Sequence, residues 1–489
     1  MSKTRLNIVL ILLFTVLGFT VMGYHPGLED DGVYLAAIKA DLQPALYPHD
    51  SDFFRLQLQA TLFDRWIAGF VIATGISLPW AELIWQFLSL FGIMWAVHNI
   101  AQQLFPEARA QWAGVAMVAA MLSLPVAGTA VNIADQYLHP RNLATAIILA
   151  AVARILARKA WQAAVLLLLA FVVHPIMAAM GISFCLFLHV ALMEPVHVSL
   201  RSSHGSVAAA APLSWIFESP SPTWRRALET RSYFFLYHWA WYEWLGTVAP
   251  LVLFWLLWRF ARSRGESPLA RFALGVLLYG VFQLAVAMVL LGPASLVRLT
   301  PLQPMRFLQL NYVFLALMAG CLMGRHLLKA SALRWSLFLL LVNGAMFVSQ
   351  RMLLSASEHL ELPGRQSSNS WLQAFAWVRQ NTPVNAYFAL DPNYMALPGE
   401  DYHSFRALAE RSQLADAIKD TAIVTQVPVL GPEWAKQVDA QAGWIRFRLA
   451  DFERLKAQFG IGWVLVSYPQ PEGLACSWHN DRLSVCRIP

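Results

Sequence analysis

The feature that most constrains this chain is a recurring block of about twenty apolar residues. About 20 helical residues cross the roughly 30 Å hydrocarbon core of a bilayer. Inside that core every backbone group must bond within its own segment or a closed barrel. The blocks here are continuous, without the alternation of a barrel strand, so helices are expected. Of 489 residues 58% are hydrophobic and 13% charged, about half the charged share of an average soluble domain. The sequence therefore predicts an α-helical polytopic membrane protein.

A formal net charge of +7 would suit a nucleic-acid partner if the basic residues formed one face. They fall instead between the apolar blocks, as Lys3 and Arg5, Arg154, Arg158 and Lys159, Arg259, Arg262 and Arg264, and Arg325, Lys329 and Arg334. That is the positive-inside pattern that sets helix orientation, and it argues against nucleic acid.

The first block, 6–22, reads as an uncleaved anchor with a cytoplasmic N-terminus, because no small-x-small cleavage site follows it. A large outer loop, 24–79, comes next, with an interfacial helix expected over 62–76. Further spans are expected over 80–104, 112–131, 142–157 and 160–173. Counting back from the C-terminus gives spans over 239–258, 268–291, 305–323 and 333–348. This parity requires 174–238 to cross not at all or twice, as 176–193 with 205–217. The total is then nine or eleven spans, in a bacterial inner membrane, with 1–349 as the membrane domain.

Residues 350–489 differ in character and are expected outside the cytoplasm. An amphipathic helix over 370–380 stops at Asn381-Thr382-Pro383. A short strand over 386–390, a charged helix over 403–420, a helix Leu449–Phe459 and a buried strand Trp463–Ser467 follow. Alternating helices and strands predict a small α/β domain. Cys476 and Cys486 flank a hairpin-like stretch around His479-Asn480-Asp481. They form a disulfide in an oxidising compartment, or stay two free thiols.

The sharpest chemical signal is Glu29-Asp30-Asp31, just after the first block. Adjacent carboxylates near a low-dielectric surface are costly unless a cation, an arginine or a substrate hydroxyl satisfies them. One of them can act as base on a sugar hydroxyl; an ordinary solvated turn is the plain alternative. In the same loop, His49, Asp50 and Asp52 have the ligand types for a divalent metal ion, although either aspartate could simply open the next helix.

Asp135, His139 and Arg141 link two spans on the same outer side, and an outward arginine there needs an anionic partner. His174 sits at the outer end of a span, where a helix-end role competes with a site role. Arg298 and Arg306, with Gln303 between them, are suited to a phosphate or diphosphate head group, or to lipid head groups without specificity. Trp239 and Glu243, among Trp241, Tyr242 and Trp244, can stack on a sugar or isoprenoid, or form an aromatic belt. No dinucleotide fingerprint, phosphate-binding loop, nucleophile elbow or zinc-protease motif is present. An activated substrate would then arrive within the membrane.

This layout resembles the GT-C superfamily, the membrane glycosyltransferases that use polyprenyl-phosphate-linked sugars. The resemblance rests on Glu29-Asp30-Asp31 in a large first outer loop, on short third and fifth spans, and on Arg298 and Arg306 before a late span. A C-terminal extracytoplasmic α/β domain completes it. Asn381-Thr382-Pro383, Glu400-Asp401 with Phe405-Arg406, and Ala409-Glu410-Arg411 through Lys419-Asp420 resemble a bacterial branch of these proteins. The resemblance implies a GT-C-like fold, a base at Asp30 or Asp31, and donor-phosphate contacts from the outer-loop arginines. The expected partners are membrane lipid and a lipid-linked sugar donor; no protein partner is indicated. A transporter or a non-catalytic envelope-assembly subunit is the rival class. A transporter would place ionisable residues at mid-membrane, whereas here they gather at the ends of spans.

Overall fold

The computed structural model describes residues 3–59, 61–193 and 214–489. Among them, seven helices are long and apolar enough to cross a membrane: Thr4–Met22, Leu78–Leu104, Pro175–Leu192, Trp241–Ser263, Ser267–Leu291, Ser295–Leu328 and Ala332–Leu353. At 1.5 Å per residue, the 20 residues of the helix Lys3–Met22 extend about 30 Å. Shorter helices, Ala108–Ala120, Pro140–Leu156 and Ala160–Val173, pack among these. The chain is a multi-pass membrane protein with a C-terminal sheet domain.

Small residues let these helices approach closely. A Cβ on Gly320 would lie 2.4 Å from the Ala113 carbonyl oxygen, and one on Gly114 would lie 2.5 Å from Cys321 Sγ. The helices Ala108–Ala120 and Leu308–Met323 therefore meet nearly backbone to backbone.

Two expected spans take different shapes. The block 112–131 stops being helical at Ala120, and Pro125–Val126 pairs antiparallel with Val131–Asn132. Pro125 lacks the N–H a helix needs, and Gly128 takes φ +62 beneath the Trp239 ring. The block around 295–328 opens as two 3₁₀ turns, Ala294–Leu302 and Pro304–Phe307, before Leu308–Met323. Of the proposed short span 205–217, only the turn Ser214–Phe217 falls within the described residues; the rest lies outside them, and so does the choice between nine and eleven crossings.

The C-terminal sheet has five strands in the order Ser412–Gln413, Tyr387–Ala389, Trp463–Ser467, Leu483–Arg487, Ala475–His479. The first three are parallel and the last two antiparallel. Asn369 caps the helix Ser370–Asn381 by accepting from the Trp371 and Leu372 N–H groups. Cys476 and Cys486 are directly opposed across the last strand pair and joined by a disulfide.

The charged stretch 403–420 is not one helix. It forms the short helix Phe405–Ala409, then Glu410 in the left-handed region, then the strand Ser412–Gln413; the next helix starts at Lys419. Tertiary contacts decide this. Arg406 is buried and forms a bidentate pair with Asp420 at 2.6 and 2.9 Å. The Asp416 carboxylate accepts from the N–H groups of Ile418 and Lys419, and so starts the helix Lys419–Gln426.

The segment after the first helix is stitched to this domain by backbone bonds. Tyr24 N–H donates to His359 at 3.0 Å, Glu361 N–H to Tyr24 at 2.9 Å, Glu29 N–H to Tyr402 at 2.9 Å and Ser404 N–H to Gly27 at 2.9 Å. The carboxylate loop therefore lies between the helices and the sheet domain.

Candidate functional site

A cavity of about 120 Å³ lies at this junction, lined by Asp30, Tyr34, His139, Arg141, His174, Gln303, Arg306 and Lys419 among others. Asp30 immediately precedes the helix Asp31–Leu42. Successive helical residues are about 100° apart, and residues four apart share a face. Asp30 and Tyr34 therefore look into the cavity together, while Asp31 turns away.

Asp31 is 2% exposed, and its Oδ2 accepts the Gly27 N–H at 2.6 Å. Burial pushes its carboxyl up to about 7, against the Gly27 bond and the Lys39 charge. It is a turn staple that sets where Asp30 points. Asp30, with its side chain 39% exposed to the cavity, behaves oppositely. Burial would raise it, but the Lys419 charge above all, with Arg141 beyond it, outweighs that and holds it well below the usual carboxylate range. Lys419 Nζ lies 3.1 Å from Asp30 Oδ1 and also pairs with Glu29. Glu29 itself sits in the left-handed region at φ +52.

His139-Pro140 and His174-Pro175 repeat one device. Each proline stands at the first helical position, where a missing N–H costs nothing. Each histidine caps its helix through Nδ1, from Arg141 N–H at 2.9 Å and from Met177 N–H at 3.4 Å. A capping Nδ1 must carry a lone pair, so each neutral ring keeps its proton on Nε2. Burial, then the Arg141 charge, lowers His139 well below its ordinary value; burial, then Arg306, lowers His174 to about 3. The two rings lie 6.2 Å apart, and His139 Nε2 is 3.9 Å from Asp30 Oδ2. The cavity thus holds two neutral imidazoles, each with an N–H to offer.

Arg141 grips Asp135 through Nε at 3.0 Å and Nη2 at 2.7 Å, and Asn142 and Gln86 anchor the Asp135 backbone. This leaves Arg141 Nη1 buried without a partner, as Arg306 Nε and Gln303 Oε1 are. Arg306 follows Gln303, whose φ of +48 turns the chain between the two 3₁₀ segments. Asp135 is taken by Arg141, and Glu29 and Asp30 by Lys419. Arg306 forms no ion pair among the described residues. Arg306 thus faces the cavity with its Nε unpaired while the neighbouring cations hold carboxylates.

Other residues singled out in the sequence lie elsewhere. Arg298 pairs with Glu218 at 3.2 Å and stacks on Trp224. Trp239 donates to the Tyr233 carbonyl at 3.4 Å, and Glu243 accepts the Ala240 N–H at the start of a helix. His49 stacks on Tyr387, Asp50 takes bonds from Tyr387 and Gln437, and Asp52 opens the helix Asp52–Leu58. Those three do not converge among the described residues. Tyr34 and Lys419 have no site role in the sequence analysis. Tyr34 carried a signal, four residues beyond Asp30; Lys419, 389 residues from Asp30, carried none.

The membrane helices, the sheet domain and this junctional cavity define a multi-pass membrane protein with a charged, partly enclosed pocket between its two parts. No protein-family model and no curated protein sequence matches the chain. Among solved structures it is similar to the archaeal oligosaccharyltransferase AglB from Archaeoglobus fulgidus, determined with an inhibitory peptide and a dolichol-phosphate. That likeness covers 95% of this chain and 70% of the other, at 12% identity and a TM-score of 0.46.

Proposed function

We propose that the protein is an integral-membrane glycosyltransferase of the GT-C type. It moves a sugar from a polyprenyl-phosphate-linked donor to an acceptor outside the cytoplasm. The observation that carries this reading is the pairing, around one cavity, of an ionised carboxylate at Asp30 with an arginine, Arg306, that lacks a carboxylate partner.

In an inverting transfer the acceptor oxygen bonds to the anomeric carbon as the bond to the donor phosphate breaks. The acceptor proton passes to Asp30. It is a weak base, so the proton moves late, once the attacking hydroxyl has become acidic. Negative charge grows on the departing phosphate, where Arg306, the free Nη1 of Arg141 and the Nε2–H groups of His139 and His174 can meet it. Tyr34 borders Asp30 and shapes the acceptor side. A divalent ion is the further cofactor to consider; at Asp30 it would compete with Lys419, because Asp135 is already occupied by Arg141. Gln303, beside Arg306, would orient the donor head group.

The test has two parts. Mass spectrometry of envelope glycans from cells with and without the gene should reveal a missing sugar. Purified protein given a labelled polyprenyl-phosphate sugar and that acceptor should restore it, and Asp30→Asn protein, folded and inserted normally, should not. Full transfer by Asp30→Asn would remove the base from the mechanism.

The same reading places the N-terminus in the cytoplasm and the sheet domain outside it, in a bacterial inner membrane. A reporter fused after Pro489 should then be active outside the cytoplasm and one at Gly265 inside.

A further inference from the structure

A second cluster lies apart from this cavity, where the loop after the first helix meets the C-terminal domain. His25, Glu361 and His403 bring one donor atom each to within 4.8 Å of one another. His25 Nδ1 is 2.8 Å from Glu361 Oε1, and His403 Nε2 is 3.1 Å from both Glu361 oxygens. The side chains are 1%, 10% and 0% exposed respectively. Backbone bridges flank the cluster, Tyr24 with Leu360 and Leu28 with His403.

The His403 tautomer is informative. Its Nδ1 lies 3.1 Å from the Glu400 carbonyl, which can only accept, so Nδ1 carries the proton. Nε2 then turns its lone pair toward a carboxylate, which also only accepts. Two acceptors at that distance need something positive between them, either a second proton or a metal ion. An outer imidazole N–H held by a backbone carbonyl is the arrangement that orients metal-bound histidines. Ligand atoms around a tetrahedral zinc, at about 2.0–2.2 Å from the ion, stand about 3.3 Å apart. The two spacings about Glu361, 2.8 and 3.1 Å, need to open by only a few tenths of an ångström, and the third, between His25 and His403, is within 4.8 Å. Two imidazoles and one carboxylate are a known zinc set, with water in the fourth position.

We propose that His25, Glu361 and His403 form a zinc(II) site that fastens the first loop to the C-terminal domain. The ion would hold the loop two residues before Gly27, whose N–H fixes Asp31, and so keep Asp30 in the cavity without touching substrate. The proposal is independent of what the cavity does.

The test uses full-length protein in detergent, purified without a histidine tag, stripped with a chelator and re-equilibrated with zinc chloride. Elemental analysis should find about one zinc per chain in the wild type, and roughly a tenth of that or less in Glu361→Gln and His403→Ala, since metal affinity depends on every ligand. Zinc should raise the Tm of the stripped wild type but not of Glu361→Gln, which keeps the side chain's shape. A wild type that takes up no zinc overturns the site, as does a Glu361→Gln protein that takes up as much. Iron or manganese bound at one per chain in preference to zinc overturns the assignment of the ion.

Discussion

Lys419 Nζ lies 3.1 Å from Asp30 Oδ1, so a cation on the sheet domain faces a carboxylate on the loop after the first helix. Lys419 is placed by its neighbours. Asp416 starts its helix, and the buried Arg406–Asp420 pair fixes the next residue along. The domain outside the helices is thereby part of the cavity, and the state of Asp30 depends on both halves of the chain.

The two adjacent aspartates should behave differently when each is changed to asparagine. Asp30→Asn removes the cavity's basic oxygen and should lower transfer by about 10²–10⁴-fold, the range for loss of a general base. Asp31→Asn retains an oxygen to accept the Gly27 N–H, so its loss of transfer should be far smaller. Steady-state rates on purified, correctly inserted protein distinguish them. Equal losses would mean that the staple and the base have been wrongly separated.

Lys419→Met should raise the Asp30 pKa, because its largest opposing charge is gone. The acid limb of the kcat/KM profile should move to higher pH, and the stability loss should be about 1–3 kcal/mol, less than for a fully buried pair because Glu29 and Asp30 are partly solvated. An acid limb that stays in place would show that Asp30 is not the group being titrated.

The membrane helices were legible in the sequence because the bilayer imposes their length, and Ala160–Val173 runs over the expected residues. In the sheet domain Leu449–Phe459 and Trp463–Ser467 do so too. Charge pattern misled over 403–420, where Arg406 and Asp420 form a buried pair and not a solvated helix face. The block 112–131 misled through hydropathy, although Pro125 and Gly128 stood in it. Of the cavity lining, Asp30, His139, Arg141, His174, Gln303 and Arg306 stand out in the sequence because ionisable or polar residues at the ends of spans are conspicuous among apolar blocks. Lys419 sits in a domain where charge is ordinary, and only the fold brings it to Asp30.

The two outer arginines should separate as cleanly as the aspartates. Arg306→Ala should weaken donor use by about 10–100-fold in KM, equivalent to the roughly 1.5–3 kcal/mol of a hydrogen bond to a charged group. Among the described residues Arg298→Ala breaks the contacts to Glu218, Ser219 and Trp224, and it should leave KM for the donor unchanged. The comparison is a titration of labelled lipid donor against each variant. A KM effect at Arg298 that matches or exceeds that at Arg306 would place the donor outside this cavity.

The last prediction concerns stability and follows from Asp31. Its carboxyl is pushed up to about 7 by burial, whereas an unfolded aspartate titrates near about 3.9. Between those values the folded chain keeps a proton that the unfolded chain releases. Stability from this group is therefore fully present below about pH 4 and is lost as pH rises through 7. Asp31→Asn is neutral throughout and has no such slope. The variant should gain on the wild type as pH rises from 5 to 8 by no more than about 3 kcal/mol, since about two units of the shift lie in that window and each is worth about 1.4 kcal/mol. Asp420 is pushed up to about 7 in the same way, by burial first and despite Arg406. It contributes equally to both proteins and cancels in the comparison. Unfolding followed in one detergent at pH 5 and pH 8 gives the two gaps directly. A gap that does not change with pH would show that the Asp31 carboxyl is already ionised in the folded protein, and that its bond to Gly27 is charge-assisted throughout.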